Sequence, residues 1–243
     1  MKLKQIIYYL IFMFRNWFLY LFNFYRFNKL NNHRFSLKWS DRYPCIKDAT
    51  ANTNFDRHYV YHTAWAIRKL KEIKPKKHID IASSLYFPAL ASAFIPIEFY
   101  DYRPAKIELS GLKSKKGDLL NLPFKNESVE SLSCMHTIEH VGLGRYGDKL
   151  DPDGDLKAIA ELKRVIEKNG SLLFVVPIGK KAKIMYNAHR IYTVKQIKSY
   201  FTDLKLKEFC LISEDPKLGI IKNPDKKLLK KQTYACGCFW FVK

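Results

Sequence analysis

Two histidines and a glutamate lie close together in the middle of the chain, directly after an apolar stretch. Residues 131–141 read SLSCMHTIEHV, so His136, Glu139 and His140 follow a segment that is typical of a buried strand. On a short helical turn, side chains four residues apart lie on one face, and a histidine oriented by a carboxylate can act as a general base near neutral pH. The spacing therefore predicts catalytic or substrate-binding groups at a strand end, with structural hydrogen bonding as the alternative.

The same part of the chain contains patterns found in metal sites, and none has its full set of ligands. HxxEH is the ligand order of the inverted zinc proteases, but here it follows a strand and no third ligand comes at a suitable helical spacing. In LDPDGD (150–155), Pro152 and Gly154 break the calcium-loop spacing, and acidic residues just before a helix favour its amino end. Cys236 and Cys238 form a CGC stretch without the second half of a zinc site. The sequence predicts no metal, and it predicts that these aspartates begin a helix.

Further polar groups lie where predicted strands end. Asp80 lies in the first strand, Asp101 closes the second, and Asp118 comes before the strand that leads to the histidines. In an open parallel sheet, ligands bind beyond the carboxyl ends of the strands, and one carboxylate there can accept both hydroxyls of a ribose. His189 and Arg190 follow the strand predicted at 170–177, where arginine can hold a phosphate or carboxylate in a forked geometry. Capping, turn or ordinary ion-pair roles are the alternatives.

Strands and helices alternate along the chain in a way that would position these groups. The first predicted helix begins near residue 54 and ends near Pro75. Strands are then predicted at 78–83, 97–101, 129–135, 170–177, 205–212 and 233–242, with a turn region after the second and with helices at 88–94, 155–168 and 193–201. This order predicts a parallel sheet that is covered on both faces and has an antiparallel edge pair.

The first forty residues combine many cations and large apolar side chains without any acid. Lys4, Arg15 and Arg26 are spaced by eleven, about three helical turns, so they form one polar stripe opposite a broad aromatic face. Residues 1–30 therefore favour an amphipathic helix in the plane of a membrane surface, followed by a linker or lid at 31–53. A spanning helix is the alternative, although Arg15 at the bilayer centre would cost about 2.5–3.5 kcal/mol. A cleaved signal peptide is not expected, because Arg15 interrupts the apolar core and no cleavage site follows.

The composition limits the partners and the compartment. A formal net charge of +20 predicts attraction to something anionic, such as a membrane surface, a nucleic acid or a phosphorylated substrate. Five scattered cysteines are an odd number and do not form a secreted disulfide framework, which favours a reducing compartment.

Several stretches, taken in order, resemble the class I S-adenosylmethionine-dependent methyltransferases over residues 54–243. These are HIDIASS, FYDYR, GDLLNLPFKNESVESLSCMHTIEHV and ELKRVIEKNGSLLFVVP. Within that superfamily, HTIEHVGLGRYGDKLDPDGD and NAHRIYT resemble a little-characterised bacterial family of methyltransferase-like proteins that is associated with surface-polysaccharide genes. The resemblance implies an α/β, Rossmann-like three-layer sandwich with a mostly parallel, seven-stranded sheet and an antiparallel edge. It also implies S-adenosylmethionine as the cofactor.

The same resemblance assigns roles to individual residues. It implies that the ribose of the cofactor lies on Asp101, and that the substrate side lies near His136, Glu139 and His140. It implies that the methionine moiety contacts Asp80, Ala82, Ser83 and Ser84, and that the adenine contacts Asp118 and Leu119. The superfamily loop usually reads acidic-x-Gly-x-Gly, whereas here it reads DIASS, in which alanine and serine are small but have a Cβ.

Together these observations predict an enzyme that transfers a methyl group from S-adenosylmethionine to a sugar or lipid-linked glycan intermediate. We expect it in the cytoplasm, attached peripherally to the anionic inner face of the plasma membrane. A glycan or another small molecule is the expected acceptor. A nucleic-acid methyltransferase is less favoured, because the sequence contains no recognised RNA-binding module. A non-catalytic binding or scaffold protein that keeps the fold is the other alternative, and the glycine-free DIASS loop is its main support.

Overall fold

The computed structural model of the protein describes residues 3–32 and 34–243. Met1, Lys2 and His33, which the sequence assigns to the N-terminal helix and the linker, lie outside the described residues. The chain forms two compact units, Met1–Phe55 and Asp56–Lys243, which we call the N-terminal and the C-terminal unit.

The C-terminal unit alternates strands and helices along most of its length. In chain order it contains α2 (Arg57–Ile73), β1 (His78–Ile81), α3 (Tyr86–Ala91), β2 (Ile97–Asp101), β3 (Leu112–Lys116), β4 (Val129–Met135), α4 (Gly154–Val165), β5 (Ile166–Ile178), β6 (Lys183–Met185), β7 (His189–Ile191), α5 (Val194–Tyr200), β8 (Lys205–Ile212), β9 (Ile220–Lys222), α6 (Lys226–Leu229) and β10 (Ala235–Val242). Helix α4 begins inside the LDPDGD run, as predicted.

One large sheet forms the middle layer of this unit, with strand order β3-β2-β1-β4-β5-β10-β8-β9. The first five strands in this order pair in parallel, and β10, β8 and β9 add antiparallel pairs. The predicted Rossmann-like sandwich with an antiparallel edge is therefore confirmed. The described residues give this sheet eight strands rather than seven, because the short β9 extends the edge beyond β8. The strand order reverses between β1 and β4, where ligands bind in such sheets.

Alternate residues of the central strands point into two separate hydrophobic layers. On one face, Leu172, Phe174 and Val176 of β5 pack with α4 and α5. On the other face, Leu173 and Val175 pack with α2 and α3. This alternation explains why β5 reads as one continuous apolar run: it is buried on both faces.

The N-terminal unit is dominated by one helix, α1 (Leu3–Leu30). The segment after it folds back along the helix: the Asn16 side chain donates to the carbonyl of Ile46 (2.8 Å), and the Phe24 and Trp39 rings meet edge to face at 5.1 Å. No residue of Leu3–Leu30 is buried. The helix is long and apolar enough to cross a membrane by length and composition.

Candidate active site

The turn after β1 forms the floor of the site. Ala82 adopts a left-handed backbone conformation (φ +52°), and its N–H donates to the carbonyl of Tyr100 (2.8 Å). The Thr137 hydroxyl, which follows β4, donates to the carbonyl of Ala82 (2.9 Å). The DIASS sequence therefore makes the turn that glycine usually makes, at the cost of holding alanine in a conformation that favours glycine.

Asp80 lies beneath this turn and is fully buried. Its Oδ1 accepts hydrogen bonds from the hydroxyls of Ser83 (2.6 Å) and Ser133. Burial raises the pKa of Asp80 to about 7, against the hydrogen bonds that favour its charged form. Asp80 lines neither of the cavities described below. Its predicted role in cofactor binding would therefore be indirect, through the turn residues Ala82 and Ser83 that it positions.

A cavity of about 330 Å³ opens beyond the carboxyl ends of β1 and β2, and we call it the first cavity. Three of the predicted cofactor residues besides Ala82 line it: Asp101, Asp118 and Leu119. Asp101 is half-buried, and its Oδ1 accepts the Arg103 N–H (2.7 Å). Asp118 is exposed and accepts the Leu120 N–H (2.9 Å), so it also closes a turn. A Cβ on Gly117 would meet Tyr100 side-chain atoms at 3.0–3.1 Å, so glycine keeps this wall open.

A second, larger cavity of about 690 Å³ lies on the other side of the turn, and we call it the second cavity. Ser83 and Ser84 line it, as do side chains from α2, from the loop after β4 and from the segments that lead into β7 and β10. The two cavities share four lining residues: Ala82, His136, His140 and Tyr146. The two cavities therefore adjoin at these four residues.

The predicted histidine–glutamate group lies at this shared wall. Glu139 is 1% exposed, and its Oε1 lies 2.8 Å from His136 Nδ1 and 4.0 Å from His140 Nε2. His140 Nδ1 donates to the carbonyl of Ala188 (2.6 Å). Glu139 therefore orients His136, whereas a main-chain carbonyl orients His140. Among the described residues, His136 Nε2 and Glu139 Oε2 are buried without a hydrogen-bond partner.

Further histidines surround this pair. The His58 ring stacks on His136 (centroids 5.4 Å apart), and the His62 ring lies 5.1 Å from His136. Burial lowers the pKa of His58 to about 4 and that of His62 to about 3. Burial also lowers the pKa values of His140 and His189. Burial therefore favours the neutral form of these four rings, in which they can act as hydrogen-bond acceptors or as ligands.

His189 and Arg190, predicted together as substrate residues, have different positions. His189 lines the second cavity and stacks on Tyr234 at 5.0 Å. Arg190 is 5% exposed and lines neither cavity; its guanidinium donates to the carbonyls of Val141 (2.6 Å) and Pro152 (3.1 Å). These carbonyls occupy the forked donors of Arg190, and the contacts fasten the loop that follows the histidines. The substrate role of Arg190 stays a prediction.

Sequence reasoning missed several residues of the second cavity: His58, Tyr59, Arg145, Tyr146 and Tyr234. One local signal was available, since His58 and His62 are four residues apart on a predicted helix and must share a face. The position of Tyr59 depends on how α2 packs on the sheet, and that of Tyr234 depends on the place of β10 between β5 and β8. The sequence offers no local signal for either arrangement.

Comparisons with known proteins agree on the fold. A family model described as "Caenorhabditis protein of unknown function, DUF268" matches residues 121–214, less than half of the chain. No curated protein sequence is significantly similar. The chain is similar to the solved structure of the YcgJ protein from Bacillus subtilis (13% identity, 76% of this chain and 98% of that chain, TM-score 0.52).

Two further solved structures carry more specific descriptions. One is a SAM-dependent methyltransferase from Thermotoga maritima, described as a possible histamine N-methyltransferase (16% identity, 77% of this chain and 93% of that chain, TM-score 0.51). The other is the 1,6-didemethyltoxoflavin-N1-methyltransferase of Burkholderia thailandensis with bound 1,6-didemethyltoxoflavin and S-adenosylhomocysteine (10% identity, 75% and 78%, TM-score 0.50). S-adenosylmethionine, the cofactor predicted from the sequence, is the one in the name of the Thermotoga protein. The chain therefore has the fold of the class I S-adenosylmethionine-dependent methyltransferases.

Proposed function

We propose that this protein transfers a methyl group from S-adenosylmethionine to a polar small molecule. The observation that carries the proposal is the pair of cavities that share Ala82, His136 and His140 at the point where the strand order reverses. Methyl transfer requires donor and acceptor to be held in contact away from water, and positioning alone can supply on the order of 7–11 kcal/mol. Two adjoining cavities, one for each partner, are suited to this task.

The first cavity has the groups that a nucleoside with an amino-acid tail requires. Asp101 can accept hydrogen bonds from ribose hydroxyls, Leu119 offers an apolar face to the adenine, and the Ala82 turn allows the backbone to approach the methionine moiety. The open wall at Gly117 and the left-handed turn at Ala82 support this fit. When bound, the cofactor supplies a methyl group on a sulfonium, and the sulfur keeps the electron pair of the broken carbon–sulfur bond.

His140 is our first candidate for the base that takes the acceptor's proton. Its Nδ1–H donates to the Ala188 carbonyl, which leaves Nε2 with a free lone pair at the wall between the cavities. His136, oriented by Glu139, is the second candidate. A base of this kind contributes roughly 100- to 10,000-fold to the rate. The substitutions His140→Gln and His136→Gln, compared at saturating cofactor, distinguish the two through kcat.

The acceptor that we propose is a sugar or a lipid-linked glycan intermediate. The second cavity is within the usual size range of small-molecule sites, about 300–1,000 Å³. Its phenol and imidazole groups offer flat faces and hydrogen bonds, and Arg145 adds a cation that could meet a phosphate. A cytoplasmic location at the inner face of the plasma membrane follows from the same proposal, with α1 as the attachment to anionic lipid.

Calorimetry with S-adenosylmethionine tests whether the protein binds the cofactor, on which the whole proposal depends. We expect saturable binding by the full-length protein. Asp101→Ala should weaken it roughly 10- to 100-fold, from the loss of about 1.5–3 kcal/mol of hydrogen bonding to a charged group. Glu130→Ala, an exposed carboxylate at the amino end of β4 and outside the cavity, is the matched control and should bind normally. If the wild-type protein does not bind the cofactor at millimolar concentration, the non-catalytic alternative is favoured.

A labelled methyl group identifies the acceptor. The protein is incubated with cofactor labelled in the methyl group and with separated cell fractions. Label in the lipid-linked or soluble glycan fraction supports the proposal, whereas label in RNA or DNA supports the nucleic-acid alternative. Label in no fraction, despite cofactor binding, argues for a binding or scaffold protein.

A further inference from the structure

A group of potential metal ligands lies at the inner wall of the second cavity, drawn from three distant parts of the chain. His58 belongs to the first turn of α2, His136 follows β4, and Cys236 is the second residue of β10. One ring nitrogen of each histidine and the Cys236 sulfur all lie within 4.8 Å of one another. Zinc–nitrogen and zinc–sulfur distances of about 2.0–2.3 Å place tetrahedral ligand atoms roughly 3.5 Å apart. Closing on an ion would therefore need side-chain shifts of about 1 Å. It would also need rotation of one of the two nearly parallel histidine rings (interplanar angle 10°), because an ion lies in the plane of each imidazole that binds it.

We propose that His58, His136 and Cys236 bind a divalent transition-metal ion of the zinc class. Two imidazoles and a thiolate form a donor set that selects zinc-like ions over magnesium or calcium, which prefer oxygen. The Cys236 thiol releases its proton to solvent as its sulfur takes the ion. The site goes beyond the proposed methyl transfer and does not depend on it.

The orientation of His136 is a second, independent observation that points to an ion. Its side chain is 5% exposed, and Glu139 Oε1 lies 2.8 Å from Nδ1. Because the carboxylate accepts from Nδ1–H, Nε2 is the ring nitrogen left for another partner, and it is buried without a hydrogen-bond partner among the described residues. A histidine held by a buried carboxylate on one nitrogen and open on the other is the usual arrangement of a metal-binding histidine. An unpaired buried nitrogen is otherwise costly.

The sequence alone predicts no metal site, because each candidate pattern lacks part of a ligand set. The CGC stretch had no second half, and the HxxEH pattern had no third ligand. In the fold, one member of each pattern meets His58 of α2. Three protein ligands leave a fourth position open, as in catalytic rather than structural zinc sites. His58 and His136 both line the second cavity, so an ion held by them would lie at the wall of that cavity.

Cobalt titration of the full-length protein tests the site directly. Chelator-treated protein should bind Co²⁺ with tetrahedral ligand-field bands and a thiolate-to-cobalt charge-transfer band, and Zn²⁺ should displace both. Cys236→Ser should remove the charge-transfer band and weaken binding by more than about 100-fold, the upper end for losing a hydrogen-bond partner of a ligand. Cys210→Ser is the matched control, since Cys210 is a buried cysteine on the neighbouring strand β8 and outside the ligand group, and it should behave like the wild type. Glu139→Gln should weaken binding roughly 10- to 100-fold.

The half-buried His58 provides a variant that avoids the risk of misfolding. His58→Gln should lose cobalt affinity to the same extent as Cys236→Ser while unfolding at the wild-type denaturant midpoint in the absence of metal. Failure of the wild-type protein to bind Co²⁺ or Zn²⁺ at micromolar concentration would overturn the proposal, as would equal behaviour of the Cys236 and Cys210 variants. Cofactor calorimetry on the same metal-free protein separates this failure from a failure of the proposed function.

Discussion

At the scale of single residues, Ala82 holds a conformation in which an L-residue is disfavoured. A left-handed backbone costs a residue with a Cβ roughly 1–2 kcal/mol, and alanine is the smallest such residue. The contacts of its N–H with Tyr100 and of its carbonyl with Thr137 hold the turn in place. The turn after β1 therefore depends on its surroundings more than a glycine turn does.

Exchanging Ala82 tests this strain. Ala82→Gly should stabilise the protein by up to about 1 kcal/mol, since the relief of strain exceeds the entropy that glycine loses on folding. Ala82→Val should destabilise it and weaken cofactor binding, because a β-branched residue fits this conformation worst. Denaturant unfolding and calorimetry measure both. Ala89→Gly in helix α3 is the control and should cost about 0.5–1 kcal/mol; equal losses at the two positions would contradict a strained turn.

A chain of buried polar side chains between β1 and β4 makes the stability of the folded state depend on pH in two opposing ways. The His78 ring is bonded to the hydroxyls of Ser131 (2.8 Å) and Ser133 (2.9 Å), and Ser133 also donates to Asp80. Burial lowers the pKa of His78 to about 3 and raises the pKa of Asp80 to about 7. The unfolded chain protonates His78 below about pH 6.5, so this group destabilises the fold as pH falls. The folded chain keeps Asp80 protonated up to about pH 7, so this group destabilises the fold as pH rises from about 4 to 7.

Asp80→Asn should remove the second dependence and leave the first. The free energy of unfolding of the variant, minus that of the wild type, should rise between pH 4 and 7 by at most about 1.4 kcal/mol per pH unit. Other titrating groups cancel in this difference. Urea unfolding of both proteins at four pH values in that window measures it. A difference that does not change with pH would show that Asp80 is ionised in the folded state throughout.

At the scale of elements, the start of α2 sets the position of one wall of the second cavity. The Asp56 carboxylate accepts the Tyr59 N–H (3.2 Å) and caps the helix, and His58 and Tyr59 lie in its first turn. Asp56→Ala should cost about 1 kcal/mol of unfolding free energy, measured by denaturant unfolding, because a helix N–H loses its partner. Asp56→Ser should restore most of this, since serine caps equally well. If serine is as damaging as alanine, the role of Asp56 is not capping.

The strands that the sequence predicted well are those whose pattern is set by burial. Apolar runs at Ile97–Asp101, Val129–Met135 and Lys205–Ile212 have the predicted bounds, because polar residues or turns end each run. The sequence predicts a turn region where β3 lies, because LKSKK contains a single apolar residue. Strand β3 is an edge strand whose lysines can face water, so its pairing with β2 leaves no apolar signature.

The sequence could predict those parts of the candidate site whose residues are close together along the chain. His136, Glu139 and His140 are neighbours in the sequence, and the structure keeps them together. Cys236 lies near His136 because β10 pairs antiparallel with β5, between β5 and β8. No short sequence motif encodes this position of the last strand. For Arg190 the motif predicts a ligand contact, and in the structure its guanidinium donates to carbonyls of the loop at 141–152, which no local motif indicates.

At the scale of the whole molecule, the large positive charge and the exposed apolar face of α1 point to the same kind of partner. Phe14 and Phe18 are 77% and 64% exposed, and the cations Lys4, Arg15 and Arg26 lie along another line of the helix. An apolar face beside cations is typical of helices that lie in an anionic membrane surface. Moderate salt should weaken the electrostatic part of such binding and leave the apolar part.

Vesicle binding by the full-length protein tests this last proposal. We expect co-sedimentation with vesicles that contain anionic lipid, weaker binding to neutral vesicles, and release by high-salt or alkaline washing. Phe14→Glu should weaken binding about 10- to 100-fold, because burying a phenylalanine is worth roughly 1.5–3 kcal/mol. Tyr86→Glu, at an aromatic residue of α3 with 76% exposure, is the matched control and should bind normally. Retention after alkaline washing would favour a spanning helix, and equal loss in both variants would mean that α1 does not select the membrane.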